Sequence, residues 1–446
     1  TSGTSNFAAG VNAGNSIASG GNFNTVVGDE AGTALTTGDD NTALGYGALY
    51  SEDAHGKNTA IGTNSLLTLN AGADGNNTAV GYFSGKLITT GIDNSILGSG
   101  AGDALTDADY NTAIGAFALT TDTLGSKSVA VGSSALFTQN FTSATDSFNT
   151  AVGFNAGALV TTGIQNTLIG SLVGDGIVTG SRNTALGNRA LSGAVDDGNN
   201  NTCIGMDAGT VTTGNNNTYV GAYNGSSGGC GSLMTSGSNN TILGSYNGNQ
   251  HSLDIRTGSN NIVLSDGDGN PRAKHNSSTW RFSANDFGSA LEFDGDQFYP
   301  LEDNAIKNGH PSHRWTVVYA TTGAINTSDQ ELKQDIDSLS DAELRVATRI
   351  KGLIKKYRWK DAVVAKGDDA RIHVGAIAQE VEQAFTDESL DADRYAIFCK
   401  DEWYEVDGKR AESLLEPYTS ETENAVKVTR LGLRYDQLLA FVIATL

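Results

Sequence analysis

Proline is missing from the first 270 residues; all four lie later, at Pro271, Pro300, Pro311 and Pro417. Nothing in that long N-terminal part therefore withholds a backbone N–H from a ladder. Tryptophan is just as confined, to Trp280, Trp315, Trp359 and Trp403. Positive charge is scarce: 28 lysines and arginines face 50 acids, for a net charge of −22. That balance argues against nucleic-acid or anionic-membrane partners, which favour a basic surface. No apolar run reaches the roughly 18 residues that a membrane-spanning helix requires, so no membrane insertion is expected. Thr1 is followed by no basic, apolar leader, so either no signal peptide was made or the chain begins inside a longer one. The three cysteines, Cys203, Cys230 and Cys399, are far apart and fit neither a disulfide framework nor a metal spacing. Asp266-Gly267-Asp268-Gly269-Asn270 looks like the start of a calcium loop. Ser277, however, sits where that loop needs an acid, so the segment reads as a polar turn. No metal and no cofactor are expected.

Residues 1–265 are a repeat. Its unit is Asn-Thr-Ala-(Val/Ile/Leu)-Gly, mostly 17 residues apart, with the glycine at Gly28, Gly45, Gly62, Gly81, Gly98, Gly115 and onward to Gly244. The residue before the glycine is always aliphatic, as at Leu44, Ile61 and Leu97, which suggests an inward position. The alanine before that, as at Ala43, Ala60 and Ala113, is expected on the opposite face, where its small size lets another surface approach. The glycine permits positive φ as the chain leaves the strand. A strand of about five residues, a turn, a second short strand and a further turn account for one coil of a parallel β-solenoid or β-roll. Stacked asparagines can link coil to coil as a ladder. The small inner residues leave one chain little with which to close a core, so oligomerisation through the alanine face is expected. The unit resembles the head repeats of trimeric autotransporter adhesins and, more closely, the repeat regions of phage tail fibres. Its period is longer than that of the adhesin heads.

Alternating segments after residue 266, such as Trp280-Arg281-Phe282-Ser283 and Leu291-Glu292-Phe293, read as strands of a stem over 266–327. His313-Arg314-Trp315-Thr316-Val317-Val318-Tyr319-Ala320 through Thr327 resembles the run leading into the intramolecular chaperone of phage fibres and endosialidases. The resemblance implies an intertwined, triple β-helix-like stem in a homotrimer.

Residues 328–446 hold 17 of the 28 basic residues and a helical pattern, so a second architecture begins there. Helix is expected from Ser328 toward Ile354 and at the end, over Leu433–Ile443, as a long amphipathic element suited to a partner helix. Ser328-Asp329-Gln330-Glu331 reads as a capping box. Four blocks resemble the endosialidase-type intramolecular chaperone: Ser328-Asp329-x-x-Leu332-Lys333, Tyr357-Arg358-Trp359, His373-x-Gly375-x-Ile377-Ala378-Gln379-Glu380-Val381 and Tyr435-Asp436-x-Leu438. In that family a Ser-Lys dyad cuts the bond before the serine. Carried to this chain, the resemblance implies Ser328 as nucleophile, Lys333 as general base and Thr327–Ser328 as the scissile bond. His373 and Glu331 are possible supporting residues. A lysine acts as a base only when neutral, which requires a pKa about three units below its free value near 10.4. Burial in an assembled trimer can supply that shift.

The expected molecule is mainly β: a trimeric solenoid shaft, a triple β-helix-like stem and an α+β chaperone. It would be a homotrimeric viral tail fibre in the virion, binding other tail proteins and a host-surface glycan or protein receptor. Its chaperone would be released by self-cleavage in the host cytoplasm, a serine endopeptidase step on its own chain with no turnover of external substrates. Two alternatives remain: a fibre-borne polysaccharide depolymerase, which needs paired carboxylates on adjacent coils, and a bacterial trimeric adhesin, which needs a C-terminal membrane anchor.

Overall fold

The computed structural model describes residues 3–193, 198–221, 223–225, 228–283, 290–295, 297–301, 333–407, 419 and 422–446. The chain divides into two compact units, Thr1–Lys307 and Asn308–Leu446.

The first unit is a β-solenoid. Short strands, from Phe7–Ala9 and Thr25–Val27 through Thr241–Leu243 and Asn261–Ser265, pair in parallel and in register, one per coil. Thr42 lies beside Thr59, Ala43 beside Ala60 and Leu44 beside Ile61. Most strands have three residues, not the expected five, and most coils carry only one. Turns stack in place of the expected second strand and still bond coil to coil, as where Gly32 N–H donates to Ala48 O at 2.9 Å and Thr106 N–H to Thr123 O at 2.9 Å. Absence of proline leaves those donors intact.

The strand faces are the reverse of the sequence expectation. The central residue, Val26, Ala43, Ala60 or Ile96, is buried, while Leu44 and Leu97 are 46% and 50% exposed. Alanine points inward because other side chains of the same coil fill the interior. In five coils whose strand centre is alanine, a leucine in the following turn fills the core: Leu49 after Ala43, Leu66 after Ala60, Leu119 after Ala113, Leu136 after Ala130 and Leu191 after Ala185. After Ala79 and Ala151 that position is Gly85 and Gly157, and the space is taken by Leu66 and Ile96, and by Leu136 and Leu168, of the flanking coils. Where the centre is bulky, that turn position is glycine: Gly32 after Val26, Gly102 after Ile96, Gly174 after Leu168 and Gly231 after Tyr219. A Cβ on Gly102 would lie 2.9 Å from Leu105 Cδ1 and 3.2 Å from Ile96 Cδ1. One chain thus closes its own core, large and small side chains interlocking within and between coils, and the alanine face is unavailable to a second chain.

The repeated strand-end glycine has two reasons. At Gly81 φ is +141°, and a Cβ would stand 2.4 Å from the carbonyl oxygen of Gly98 on the next coil. The asparagines form the expected ladder, mainly through the main chain. Asn24 Oδ1 accepts from Asn41 N–H at 2.9 Å, and Asn24 Nδ2 donates to Gly38 O at 2.8 Å. Asn58, Asn94 and Asn111 repeat the first bond along the shaft. Ser128 replaces asparagine once, and Gln139 fills in, donating to Ser128 Oγ at 2.8 Å and accepting from Asn149 Nδ2 at 2.8 Å.

Two buried carboxylates occupy a core position that neighbouring coils give to Leu35, Leu69 or Leu105. Glu52 accepts from the N–H groups of His55 and Ala71, and Asp122 from those of Gly125 and Phe141. Each precedes a coil longer than 17 residues, and each satisfies backbone donors that the longer coil leaves over.

Past Ser265 the sheet continues as an antiparallel meander, Pro271–Asn276, Thr279–Phe282, Leu291–Asp294 and Gln297–Pro300. Within one chain, residues 271–300 thus pair as a meander; residues 302–332, which hold much of the triple β-helix-like stem expected over 266–327, lie outside the described part. Asp266 is a polar turn, as expected. Its carboxylate accepts from the Asp268 and Asn270 N–H groups and pairs with Arg272 at 2.6 Å. Slight burial would raise its pKa, but the hydrogen bonds from Asn270 and Arg272 outweigh it and hold the group at about 2.

Candidate functional site

Thr327, Ser328 and Glu331 lie outside the described residues. Lys333 is described: it is exposed and, among the described residues, precedes the first helix. Among the described residues the first helix, α1, spans Asp341–Lys351, and residues 333–340, which were expected to be helical, are not. Its capping box uses a different serine. Ser340 Oγ accepts from Glu343 N–H, and the Glu343 carboxylate accepts from Ser340 N–H at 2.6 Å. The sequence holds two Ser-x-x-Glu matches in this region, and only the second opens directly onto the apolar spacing of Val346, Ala347 and Ile350.

The other blocks converge. Strands Lys355–Tyr357 and His373–Gly375 pair antiparallel, with Tyr357 beside His373. The rings of Tyr357 and His373 stack at 5.8 Å, and Trp359 meets Tyr357 edge-on at 5.4 Å. His373 is exposed and belongs to this aromatic cluster. Helix α2, Lys360–Lys366, follows Trp359. Helix α3, Ala378–Asp387, leaves the second strand, and Glu380 on it pairs with Lys355, so it is more than the solvated face expected for it. The terminal helix α4, Tyr435–Ile443, has nine residues and is short where a long element was expected. Its first residue closes the cluster. Tyr435 Oη accepts from Ala376 N–H at 3.1 Å. A Cβ on Gly375 would lie 2.2 Å from that oxygen, which explains the glycine of the third block. Burial raises the Tyr435 phenol, and nearby Tyr357 adds to the effect.

Beneath lies a small core of Val346, Ile350, Val381, Phe385, Leu438 and Phe441. Arg345 pairs with Glu388 at 2.9 Å, and Arg349 with Asp387, tying α1 to α3. The hairpin Phe398–Glu405/Val426–Leu433 went unread in the sequence. The alternation of Val426 with Val428, and then of Leu431 with Leu433, was its signal. No helix of the described residues is long and apolar enough to cross a membrane.

Residues 328–390 match the family model described as the chaperone of endosialidase. The C-terminal unit carries an endosialidase-type chaperone segment. The chain is also similar to phage tail proteins. A probable tail spike protein of Klebsiella phage 0507-KN2-1 is 36% identical over 140 residues, 28% of this chain and 11% of that protein. The side tail fiber protein pb1 of Escherichia phage T5 is 37% identical over 106 residues, 24% of this chain and 7% of that one. The aligned parts thus span a small fraction of either relative. The solved carboxy-terminal domain of the bacteriophage T5 L-shaped tail fiber, with its intra-molecular chaperone domain, shares 24% identity over 39% of this chain and 46% of that chain, at a TM-score of 0.27.

Proposed function

We propose that the chain is the shaft and self-releasing chaperone of a homotrimeric phage tail fibre that carries a host-surface receptor-binding function. The observation that carries this reading is the chaperone segment beginning at Ser328, C-terminal to a long in-register solenoid. Repetitive parallel coils are easily mis-paired by one rung, and a chaperone that aligns three chains removes that error.

The outward strand face supports the assembly. Its two columns, from Thr25 and Val27 to Ile262 and Leu264, contain no charged residue in a chain of net charge −22. Leu44, Leu97, Leu186 and Leu243 on it remain 41–50% exposed. The face continues onto the meander as a hollow of about 500 Å³ lined by Leu264, Ala273, Trp280, Phe282, Phe293 and Phe298. A partner must match this face rung by rung, uneven coils included, and a parallel copy of the same chain does so. The trimer contact thus moves from the alanine column to the aliphatic one.

Self-cleavage between Thr327 and Ser328 follows from Ser328 as nucleophile and Lys333 as base. After the cut, a high unfolding barrier would hold the shaft. Expression of wild type, Ser328→Ala and Lys333→Ala, with denaturing gels and intact-mass spectrometry, tests this. Wild type splits at 327/328 and both variants stay whole. An uncut wild-type trimer refutes the dyad.

A further inference from the structure

The coil from Asn41 to Lys57 departs from its neighbours at two positions. Glu52 is buried where other coils place leucine, and His55 takes the position held elsewhere by Gly38, Gly91, Gly163 and Gly180. Backbone capping accounts for the carboxylate: its oxygens accept from His55 N–H at 3.1 Å and Ala71 N–H at 3.2 Å. Asp122 does the same at the equivalent place, and there the ordinary glycine, Gly125, is kept. Capping therefore does not account for the imidazole. Its Nδ1 is shut off from water, makes no hydrogen bond among the described residues and lies 3.5 Å from Glu52 Oε1. Asp53 is the third neighbour. The ligating atoms of Glu52, Asp53 and His55 lie within 4.8 Å of one another.

Two donors held tetrahedrally on one zinc ion, each at roughly 2.0–2.1 Å, are about 3.4 Å apart. The Glu52–His55 separation matches that edge. One imidazole with two carboxylates is a borderline-hard set, suited to zinc or a similar first-row divalent ion and less to calcium, which takes six to eight oxygens. Asp53 and His55 are only half-buried, so an ion can enter and complete its shell with water. Each carboxylate oxygen accepting a backbone N–H keeps a second lone pair for the metal.

We propose that Glu52, Asp53 and His55 form a divalent transition-metal site in the shaft, one per chain, which pins this turn to the longer coil that follows. The test is equilibrium dialysis of untagged full-length chains against zinc chloride, with thermal unfolding alongside. The variants are His55→Gly and Glu52→Leu, which restore what neighbouring coils carry, and Asp53→Asn. Wild type should take up one zinc more per chain than His55→Gly or Glu52→Leu, and zinc should raise its unfolding temperature but not theirs. Asp53→Asn should lose at least about tenfold in affinity. The chain has five other histidines, which provide the same background in every variant. Equal zinc uptake by wild type and His55→Gly overturns the site, and undiminished affinity in Asp53→Asn removes the third ligand. His55→Gly leaves Glu52 and its capping bonds in place, so it decides the matter even if Glu52→Leu fails to fold.

Discussion

The volume rule in the shaft core makes a sharp prediction about two residues that are harmful to change singly and tolerable together. Ile96 at its strand centre fills the space that Gly102 leaves empty. Ile96→Ala should cost about 2–4 kcal/mol, the usual range for such a truncation in a packed core. Gly102→Leu should cost about 1–3 kcal/mol from overpacking, because its Cβ starts 2.9 Å from Leu105 Cδ1 and 3.2 Å from Ile96 Cδ1. Its positive φ, +53°, adds a further penalty of about 1 kcal/mol. The double variant recreates the Ala60, Leu66 and Leu69 arrangement of another coil, in which Leu66 holds φ +48°. Its cost should fall below the sum of the singles by about 2 kcal/mol, within the range of coupling between touching residues. Recovery is partial, since Gly85 of the preceding coil also rests on Ile96, 3.1 Å from a built Cβ. Repeat arrays do not always unfold in two states, so the readout is local: hydrogen exchange of the 94–111 coil, with denaturant unfolding as a second measure. Strict additivity of the two changes, within about 0.5 kcal/mol, would refute the complementarity argument.

Other outcomes follow from the same contacts. Leu97→Asp with Leu186→Asp should leave the chain folded but monomeric by light scattering. Each leucine forfeits about 1 kcal/mol of further burial, and each new carboxylate would have to be desolvated; an intact trimer would clear the aliphatic face of this role. Gly375→Ala should destabilise the C-terminal unit by about 1–3 kcal/mol, since Tyr435 Oη must retreat, and Tyr435→Phe in the same background should recover part of that loss in thermal unfolding. Burial lifts the Asp122 carboxyl above its ordinary 3.8, against the hydrogen bonds from Gln139, Phe141 and Gly125. The folded chain then holds a proton that the unfolded chain releases, so this group's contribution is greatest below pH 3.8 and declines as pH rises through the folded value. Wild type should exceed Asp122→Asn in stability most at acid pH, and the gap should narrow toward neutrality in parallel denaturant titrations. A gap that widens with pH would reverse the assignment.

Period and pairing direction were legible in the residues themselves. A 17-residue recurrence of asparagine and glycine without proline leaves few options besides stacked parallel coils; the compositional break near residue 328 signals a second architecture, and the two compact units divide between Lys307 and Asn308. The candidate junction was legible only as a motif, for Ser328 and Lys333 are close in sequence and nothing local fixes their meeting. Tertiary structure decided which strand face turns inward. In Thr42-Ala43-Leu44 both faces are uncharged, and a three-residue alternation has no polar side to orient it. The choice fell to volume, because Leu49 enters the core from the turn and leaves room there only for Ala43. The same physics placed the cap at Ser340, where a helix has an apolar stripe to bury, and set His55 against Glu52 across a turn whose shape no spacing in the sequence reveals.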